Sequence, residues 1–553
     1  MSFLRYECIA TRGGPQGRRS SKRERTGRTM PKRRSTTGAA LGAALLVAVM
    51  ATADTVPSPS AAAVQHPHRQ RALGQLPEAR SDTVLTRQGR LQGVTAEGVT
   101  TYQGIPYAAP PVGPLRWQPP AAPPTWTGTR TAAEPGPACA QPEVPDSAED
   151  CLYLNVTTPA AEADRAAPRP VVVWLHGGAF SSGSGDQYDA TRMARQGDVT
   201  VVTVNSRLGA LGFFAHPDLP DSGAFGLQDQ QAALRWVRDN AGAFGGDPGN
   251  VTLMGESSGG ASVCAQLTSP KAAGLFHRAV VQSGSCLQNW PKNTLAPGDP
   301  AATYFARQSE LAAKGRGALG CRSLKCLRAK PVKDVLSLNG RFHQPAYGTS
   351  VLPDSPARAL AAGDFHRVPV LQGNTRDEHR LFTALFTLDG PMTAADYRRL
   401  LTETYGRRQA ARIARAYPPG PTPALAWAKV GTDRSWVCPT LAADRLLAEH
   451  VPVYSYEFAD RQPPAPDLRP DFPLGAYHSA ELPYLFGMGD LRLDDGQAAL
   501  SRRMIAAWTS FARTGAPGDD WPPFPHTRRL SRSAFSGVDA AAEHRCAFWS
   551  RSS

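Results

Sequence analysis

The feature that most limits the fold is a five-residue run, Val171-Val172-Val173-Trp174-Leu175, with no polar residue in it. A strand with one face in water alternates apolar and polar side chains, because successive residues point to opposite faces. A strand without alternation must be covered on both sides, as in a parallel sheet flanked by helices. Short runs of similar character recur at 152–156, 199–204, 251–254, 279–281, 368–371 and Val453–Phe458. Residues 226–243 carry Leu227, Ala233, Leu234 and Val237 at helical spacing, and 498–512 reads as an amphipathic helix near the end. Strands alternating with helices predict an α/β fold with a doubly wound, mostly parallel sheet. Residues 83–107 alternate and predict an antiparallel opening hairpin. The stretch 290–365 is irregular and rich in Ala and Pro, and is expected to form helices that cap a site.

Composition limits what this fold could serve. The chain has 553 residues, 41% of them hydrophobic, and a large α/β sheet can exceed the usual domain length without splitting. A formal charge of +14 would suit a nucleic-acid partner only as a patch on the folded domain. Instead, eleven Lys or Arg against two acids crowd between Arg5 and Arg34, and the remainder carries ordinary surface charge. No nucleic-acid partner is expected.

The front end reads as an export signal. Lys32-Arg33-Arg34 precedes a twelve-residue apolar run, 39–50, and Ala51-Thr52-Ala53 supplies a small-x-small cleavage site. These are the three parts of a secretory signal peptide. Twelve apolar residues fall short of the roughly 20 that a spanning helix needs, so no stable membrane anchor is expected. Met30 opens a signal peptide of ordinary proportions and is a candidate start. The expected organisation is a basic segment and signal peptide over 1–53, a flexible leader over 54–80, and one folded, secreted domain over 81–550, with a monomer as the expected state.

Of nine cysteines, Cys8 precedes the cut. The other eight are Cys139, Cys151, Cys264, Cys286, Cys321, Cys326, Cys438 and Cys546. An even number in an exported chain favours disulfides, although spacing leaves their connectivity open. Cys321 and Cys326 are the only close pair, and no second pair or His cluster completes a zinc site, so no metal is expected.

Two elements carry chemistry. Gly255-Glu256-Ser257-Ser258-Gly259 lies between the apolar run 251–254 and a helix-compatible stretch, 261–267. A sharp strand-to-helix turn there would lift the Ser257 hydroxyl above the sheet and aim a helix N-terminus at developing negative charge. The other reading is a glycine-rich turn that merely packs. Trp174-Leu175-His176-Gly177-Gly178-Ala179-Phe180 follows a buried strand directly. A tetrahedral oxyanion needs donors aimed in advance, and backbone N–H groups on such a loop can supply them. Its alternative is a loop whose glycines serve only tight turning.

The longer stretch from Phe244-Gly245-Gly246-Asp247-Pro248-Gly249-Asn250-Val251 through Gly259 resembles the nucleophile signature of type-B carboxylesterases, the family that includes the cholinesterases. Glu149-Asp150-Cys151-Leu152-Tyr153-Leu154-Asn155-Val156 resembles the family's second signature. Supporting similarities are Tyr102-Gln103-Gly104-Ile105-Pro106-Tyr107, Asn205-Ser206-Arg207-Leu208-Gly209 and Leu234-Arg235-Trp236-Val237. Ala179 replaces a frequent third glycine, Ser206 a frequent Tyr and Ser258 a frequent Ala. The resemblance spans roughly 83–550. It implies the α/β-hydrolase fold with helical capping insertions, and hydrolysis of small-molecule carboxylic esters without cofactor or metal.

It also implies roles. Ser257 is the expected nucleophile, His478 the base and Glu378 the acid. Gly373-Asn374-Thr375-Arg376-Asp377-Glu378 resembles the acid-bearing loop, and Asp377 is the competing choice. Gly475-Ala476-Tyr477-His478-Ser479-Ala480-Glu481-Leu482 resembles the histidine loop, while His343, His379 and His450 lack such a frame. The implied oxyanion donors are the N–H groups of Gly178, Ala179 and Ser258, with Gly177 in support. Glu256 is open to two readings, an orienting group or a buried paired carboxylate. The resemblance pairs Cys139 with Cys151, Cys321 with Cys326 and Cys438 with Cys546, leaving Cys264 and Cys286 as a pair or as free buried thiols. In the cholinesterase branch an aromatic ring between the first two cysteines stacks on the substrate's cation. Residues 140–150 contain no Trp, Tyr or Phe, so little choline preference is expected. A lipase on longer acyl chains and a non-catalytic adhesion module are the alternatives, the second requiring a missing triad residue.

Overall fold

The computed structural model describes residues 82–550 apart from 143, 161–166, 389 and 466–470. The signal peptide expected over 1–53 and the leader expected over 54–80 lie outside the described residues. The core is an eleven-stranded sheet. We number its strands in chain order: β1 (Val94–Ala96), β2 (Val99–Pro106), β3 (Tyr153–Pro159), β4 (Arg169–Leu175), β5 (Thr200–Val204), β6 (Gly246–Glu256), β7 (Arg278–Gln282), β8 (Val370–Thr375), β9 (Val453–Phe458), β10 (Thr527–Leu530) and β11 (Phe535–Val538). Their spatial order is β11-β10-β9-β8-β7-β6-β4-β5-β3-β2-β1. Strands β4 to β10 run parallel to their neighbours. The edges are antiparallel, from β5 through β3 and β2 to β1 on one side and from β10 to β11 on the other.

The unbroken apolar run takes the place its composition demands. All seven residues of β4 are buried. Val172 and Trp174 enter one core cluster, while Val171, Val173 and Leu175 enter another. The first cluster is covered by Leu500, Met504, Trp508 and Phe511 of the capped helix α4 (Asp495–Thr514). The second is covered by Leu234 and Val237 of α1 (Phe225–Asn240), Val263 and Leu267 of α2 (Ser258–Leu267) and Leu447 of α3 (Cys438–Ala448). Each fully buried Val or Leu contributes roughly 1.5–3 kcal/mol, so this strand needs both layers. The chain leaves β4 for β5 on one side and then crosses to β6 on the other. A crevice opens at such a switch point, beyond the carboxyl ends of the strands.

The stretch 290–365 holds short helices, such as Gln308–Gly315 and Pro356–Ala362, with two-residue strand pairs between them. The longer helical insertions lie further on, at Ala394–Ala416 and across 423–448. Four disulfides join Cys139–Cys151, Cys264–Cys286, Cys321–Cys326 and Cys438–Cys546. Among the described residues no helix is long and apolar enough to cross a membrane, and no group of three His, Cys, Asp or Glu is placed to hold a metal ion.

The C-terminal segment is held by the Cys438–Cys546 bond and by a buried ion cluster. His544, 1% exposed, places Nδ1 2.7 Å from Asp433 Oδ1 and Nε2 2.7 Å from Glu457 Oε2. A carboxylate can only accept, so both ring nitrogens carry protons and the ring is an imidazolium. Lys429 stands 3.1 Å from Nδ1 and bonds Asp433, and Arg529 shares Glu457. Burial favours the neutral ring, but Asp433 and Glu457 outweigh burial and Lys429 and raise its pKa. A raised folded pKa gives stability that is full below the ordinary imidazole range and lost as pH climbs through the folded value. His544→Gln should therefore cost on the order of 3 kcal/mol at about pH 5.5 and clearly less at about pH 9.5. Melting curves of both proteins at the two pH values check this; equal differences would mean a neutral ring.

Candidate active site

The site is built where β4 and β6 end side by side. Ser257 follows β6 with φ 55° and ψ −122° and caps α2. Left-handed φ in a non-glycine residue costs on the order of 1–3 kcal/mol and persists only where the surroundings enforce it. Here they do: Ser257 N–H donates to the Gln282 carbonyl on β7 (2.9 Å), and the Ser257 carbonyl accepts from Ala261 N–H (2.9 Å). Gly259 is required by close approach. A Cβ there would overlap the Leu175 carbonyl oxygen at the end of β4.

The Gly177–Phe180 loop bends over the same spot. Gly178, Ala179 and Phe180 all have positive φ, at 104°, 53° and 59°. Gly178 O accepts from the N–H groups of Ser181 and Ser182, closing the turn. His176 is buried, which lowers its pKa, and its Nδ1 lies 2.8 Å from the Gly177 carbonyl. Because that oxygen can only accept, Nδ1–H is the donor. Gln141, from the loop between the first two cysteines, braces the far end by pairing with Gly183 N–H (2.9 Å) and the Gly183 carbonyl (3.0 Å). Ser258 opens α2, so its N–H is one of those a helix leaves without an internal acceptor.

Glu378 follows β8 and is fully buried. Its Oε1 accepts from Ser283 Oγ (2.6 Å), Thr375 N–H (2.9 Å) and Asn374 Nδ2 (3.1 Å). Its Oε2 faces His478 Nδ1 at 2.7 Å. Burial pushes the carboxyl up, but His478, Ser283 and Asn374 more than offset this and hold it below the usual carboxylate range. The neighbouring Asp377 points elsewhere. It pairs with Arg461 (2.9 Å) and Arg380 (3.1 Å) and accepts from Ala476 N–H (3.2 Å), so it holds the histidine loop in place. On the other edge of the imidazole, His478 Nε2 lies 3.2 Å from Glu256 Oε1, which also accepts from Ser479 Oγ (2.7 Å). Glu256 is thus a buried carboxylate with contacts to both Ser479 and His478. Buried Glu481, bonded to Gln282 (3.0 Å), is pushed up to about 7 by desolvation and by the charge on Glu378.

Ser257 and Ala179 line a cavity of about 90 Å³ whose walls are largely aromatic. Phe180, Trp290, Tyr304, Phe382 and Trp436 line it with Leu295, and Thr303, His343 and Gln344 add polar edges. Trp290 meets Tyr304 edge-on at 4.8 Å and Trp436 at 5.5 Å, and Phe382 stacks on Trp436 at 5.4 Å. No ring comes from residues 140–150; the aromatic character arrives from other segments. Of the competing histidines, His343 lines the cavity, His379 is buried behind Trp436, and His450 packs against Phe365. Sequence reading missed Ser283 and the aromatic walls. Asn374 lies within the acid-bearing loop 373–378, whereas Trp290, Tyr304 and Trp436 carry no local motif.

Comparison with known proteins places the fold in a family. The Carboxylesterase family matches residues 80–549. Para-nitrobenzyl esterase of Bacillus subtilis (strain 168) is 35% identical over 81% of this chain and 93% of its own length. Human cocaine esterase is 33% identical over 82% of this chain and 87% of its own. A solved PNB esterase superposes with a TM-score of 0.70 at 33% identity, covering 84% of this chain and 99% of that one. The sheet and its covering helices have the α/β-hydrolase architecture of these carboxylic ester hydrolases, and the chain belongs to the carboxylesterase family.

Proposed function

We propose that this chain is an exported serine carboxylesterase that cleaves compact carboxylic esters through an acyl-enzyme on Ser257. The observation that carries the reading is the buried 2.7 Å contact between Glu378 and His478 beside the Ser257 turn. Glu378 is ionised and only accepts, so Nδ1 of His478 holds its proton there, and Nε2 is the nitrogen left to act as base. His478 takes the Ser257 proton as Oγ attacks the ester carbonyl, then returns it to the leaving alcohol. The N–H groups of Gly178, Ala179 and Ser258 stabilise the oxyanion. Glu378 fixes the ring and, with Glu256, favours the imidazolium that forms between the two transfers. Water then repeats the sequence on the acyl-enzyme.

Export is supported by the front-end pattern and by four disulfides, which persist in oxidising compartments. A small cavity walled by aromatic rings favours short or aryl acyl groups over long lipid chains, and its rings accept apolar substituents of varied shape.

Ser257→Ala and His478→Ala should each lower kcat/KM for p-nitrophenyl acetate by about 10⁴-fold with unchanged circular dichroism. Glu378→Gln should lose about 10³–10⁴-fold. Asp377→Asn keeps the side chain's shape and an acceptor for Ala476 N–H, touches no reacting group, and should lose no more than about tenfold, roughly 1.4 kcal/mol. Steady-state kinetics on the four variants decide the assignment, and an Asp377→Asn loss equal to that of Glu378→Gln would reverse it.

Trp290→Ala should lengthen the acyl preference. The ratio of kcat/KM for the hexanoate ester to that for the acetate should rise at least about tenfold, the lower end of what one methylene in an apolar pocket is worth. An unchanged ratio would place the acyl group elsewhere.

A further inference from the structure

The helical rod 423–448 is α-helical over Pro423–Gly431 and Cys438–Ala448 but widens into a π-helix over Thr432–Val437. Such turns are rare and tend to mark functional places. This one faces two ways. Asp433 is bonded to His544, Lys429 and Tyr417, which ties the turn to the C-terminal segment. Thr432 and Trp436 face His379, the residue after Glu378.

His379 is fully buried and every polar atom of its ring is committed. Its backbone N–H donates to Thr432 Oγ1 (3.0 Å). Its Nε2 lies 2.7 Å from the Thr294 carbonyl, and its Nδ1 lies 3.2 Å from the indole N–H of Trp436. A carbonyl only accepts and an indole N–H only donates. The tautomer follows: Nε2–H donates to Thr294, and the bare Nδ1 accepts from Trp436. Burial lowers the ring's pKa to about 4, so this neutral form holds at neutral pH. A Cβ at Gly431 would collide with the His379 ring, so the rod lies tight against it.

The Trp436 ring so held lies 4.5 Å from the His478 ring and stacks on Phe382, which itself lies 5.3 Å from His478. The same indole lines the cavity beside Ser257. We propose that His379 is a positioning residue: by accepting the Trp436 indole proton it seats that ring against His478 and sets one wall of the substrate cavity. The proposal rests on the reading of His478 as the base. It predicts that the hydrogen bond, rather than the bulk of either ring, is what the reaction needs.

The test uses the full mature chain and p-nitrophenyl acetate. Trp436→Phe keeps an aromatic ring and removes the donor. His379→Leu removes the acceptor, and His379→Asn restores an acceptor near the Nδ1 position. Trp436→Phe and His379→Leu should each lower kcat/KM about tenfold, within the range a misplaced catalytic group produces. The double variant should be no worse than about threefold below the lower single, because both changes remove one bond. His379→Asn should return to within about threefold of the parent, a rescue that a merely space-filling role would not give. A multiplicative loss in the double variant, an unimpaired Trp436→Phe, or His379→Asn as poor as His379→Leu would each overturn the proposal. If His379→Leu fails to fold, Trp436→Phe and His379→Asn still decide. His478→Ala is measured alongside: activity surviving there sinks the underlying assignment, whereas an inactive His478→Ala with an unimpaired Trp436→Phe sinks the positioning role alone.

Discussion

The structure turns on a main-chain contact with no side chain in it. The start of α2 presses against the end of β4 so closely that Gly259 has no room for a Cβ beside the Leu175 carbonyl. That approach brings two loops from different strands over one point. Ser257, at that approach, is held in its left-handed conformation, and α2 starts beside it. A scaffold can impose such strain only if it is itself rigid. Rigidity comes from β4, buried on both faces and paired in parallel on both edges. The geometry of the site is thus a consequence of how two backbones pack, and the side chains exploit it.

His478 occupies an unusually acidic neighbourhood for a buried ring. Glu378 meets one nitrogen, Glu256 lies near the other, and Glu481 lies three residues along the same loop. Full charge on all three would be costly in a low-dielectric interior. The surroundings divide the load. Glu378 is held ionised by its donors, while desolvation and the nearby Glu378 charge keep Glu481 drawn toward the neutral acid. Asp377 differs from Glu378 by one position and serves a mechanical purpose, anchoring the loop that carries His478 through Arg380, Arg461 and the Ala476 amide.

Much of the fold was legible because burial on both faces leaves a mark in composition. The run at β4 could be read for that reason, as could the similar runs at β5, β6 and β9. The turn around Ser257 was legible because close backbone approach selects glycine. The sheet edge at β10 and β11 left no such mark. Arg528 and Arg529 stand in β10 and pair with Asp520, Glu457 and Glu543, so its sequence does not read as strand. The cavity was less legible still. Trp436 belongs to a π-helical turn, where the α-helical spacing used to assign faces no longer applies, and its partner His379 lies 57 positions away. Contacts of that kind are properties of the assembled fold.

The aromatic cavity has an optical consequence. Two of the ten indoles in the chain, Trp290 and Trp436, line it edge to face, and one of them lies against an imidazole. Indole emission depends on local polarity and on neighbouring groups that quench it. A molecule entering the cavity comes to lie against both rings. The chain therefore carries its own chromophores at the place where ligands arrive, and occupancy can be followed by ultraviolet emission without a label.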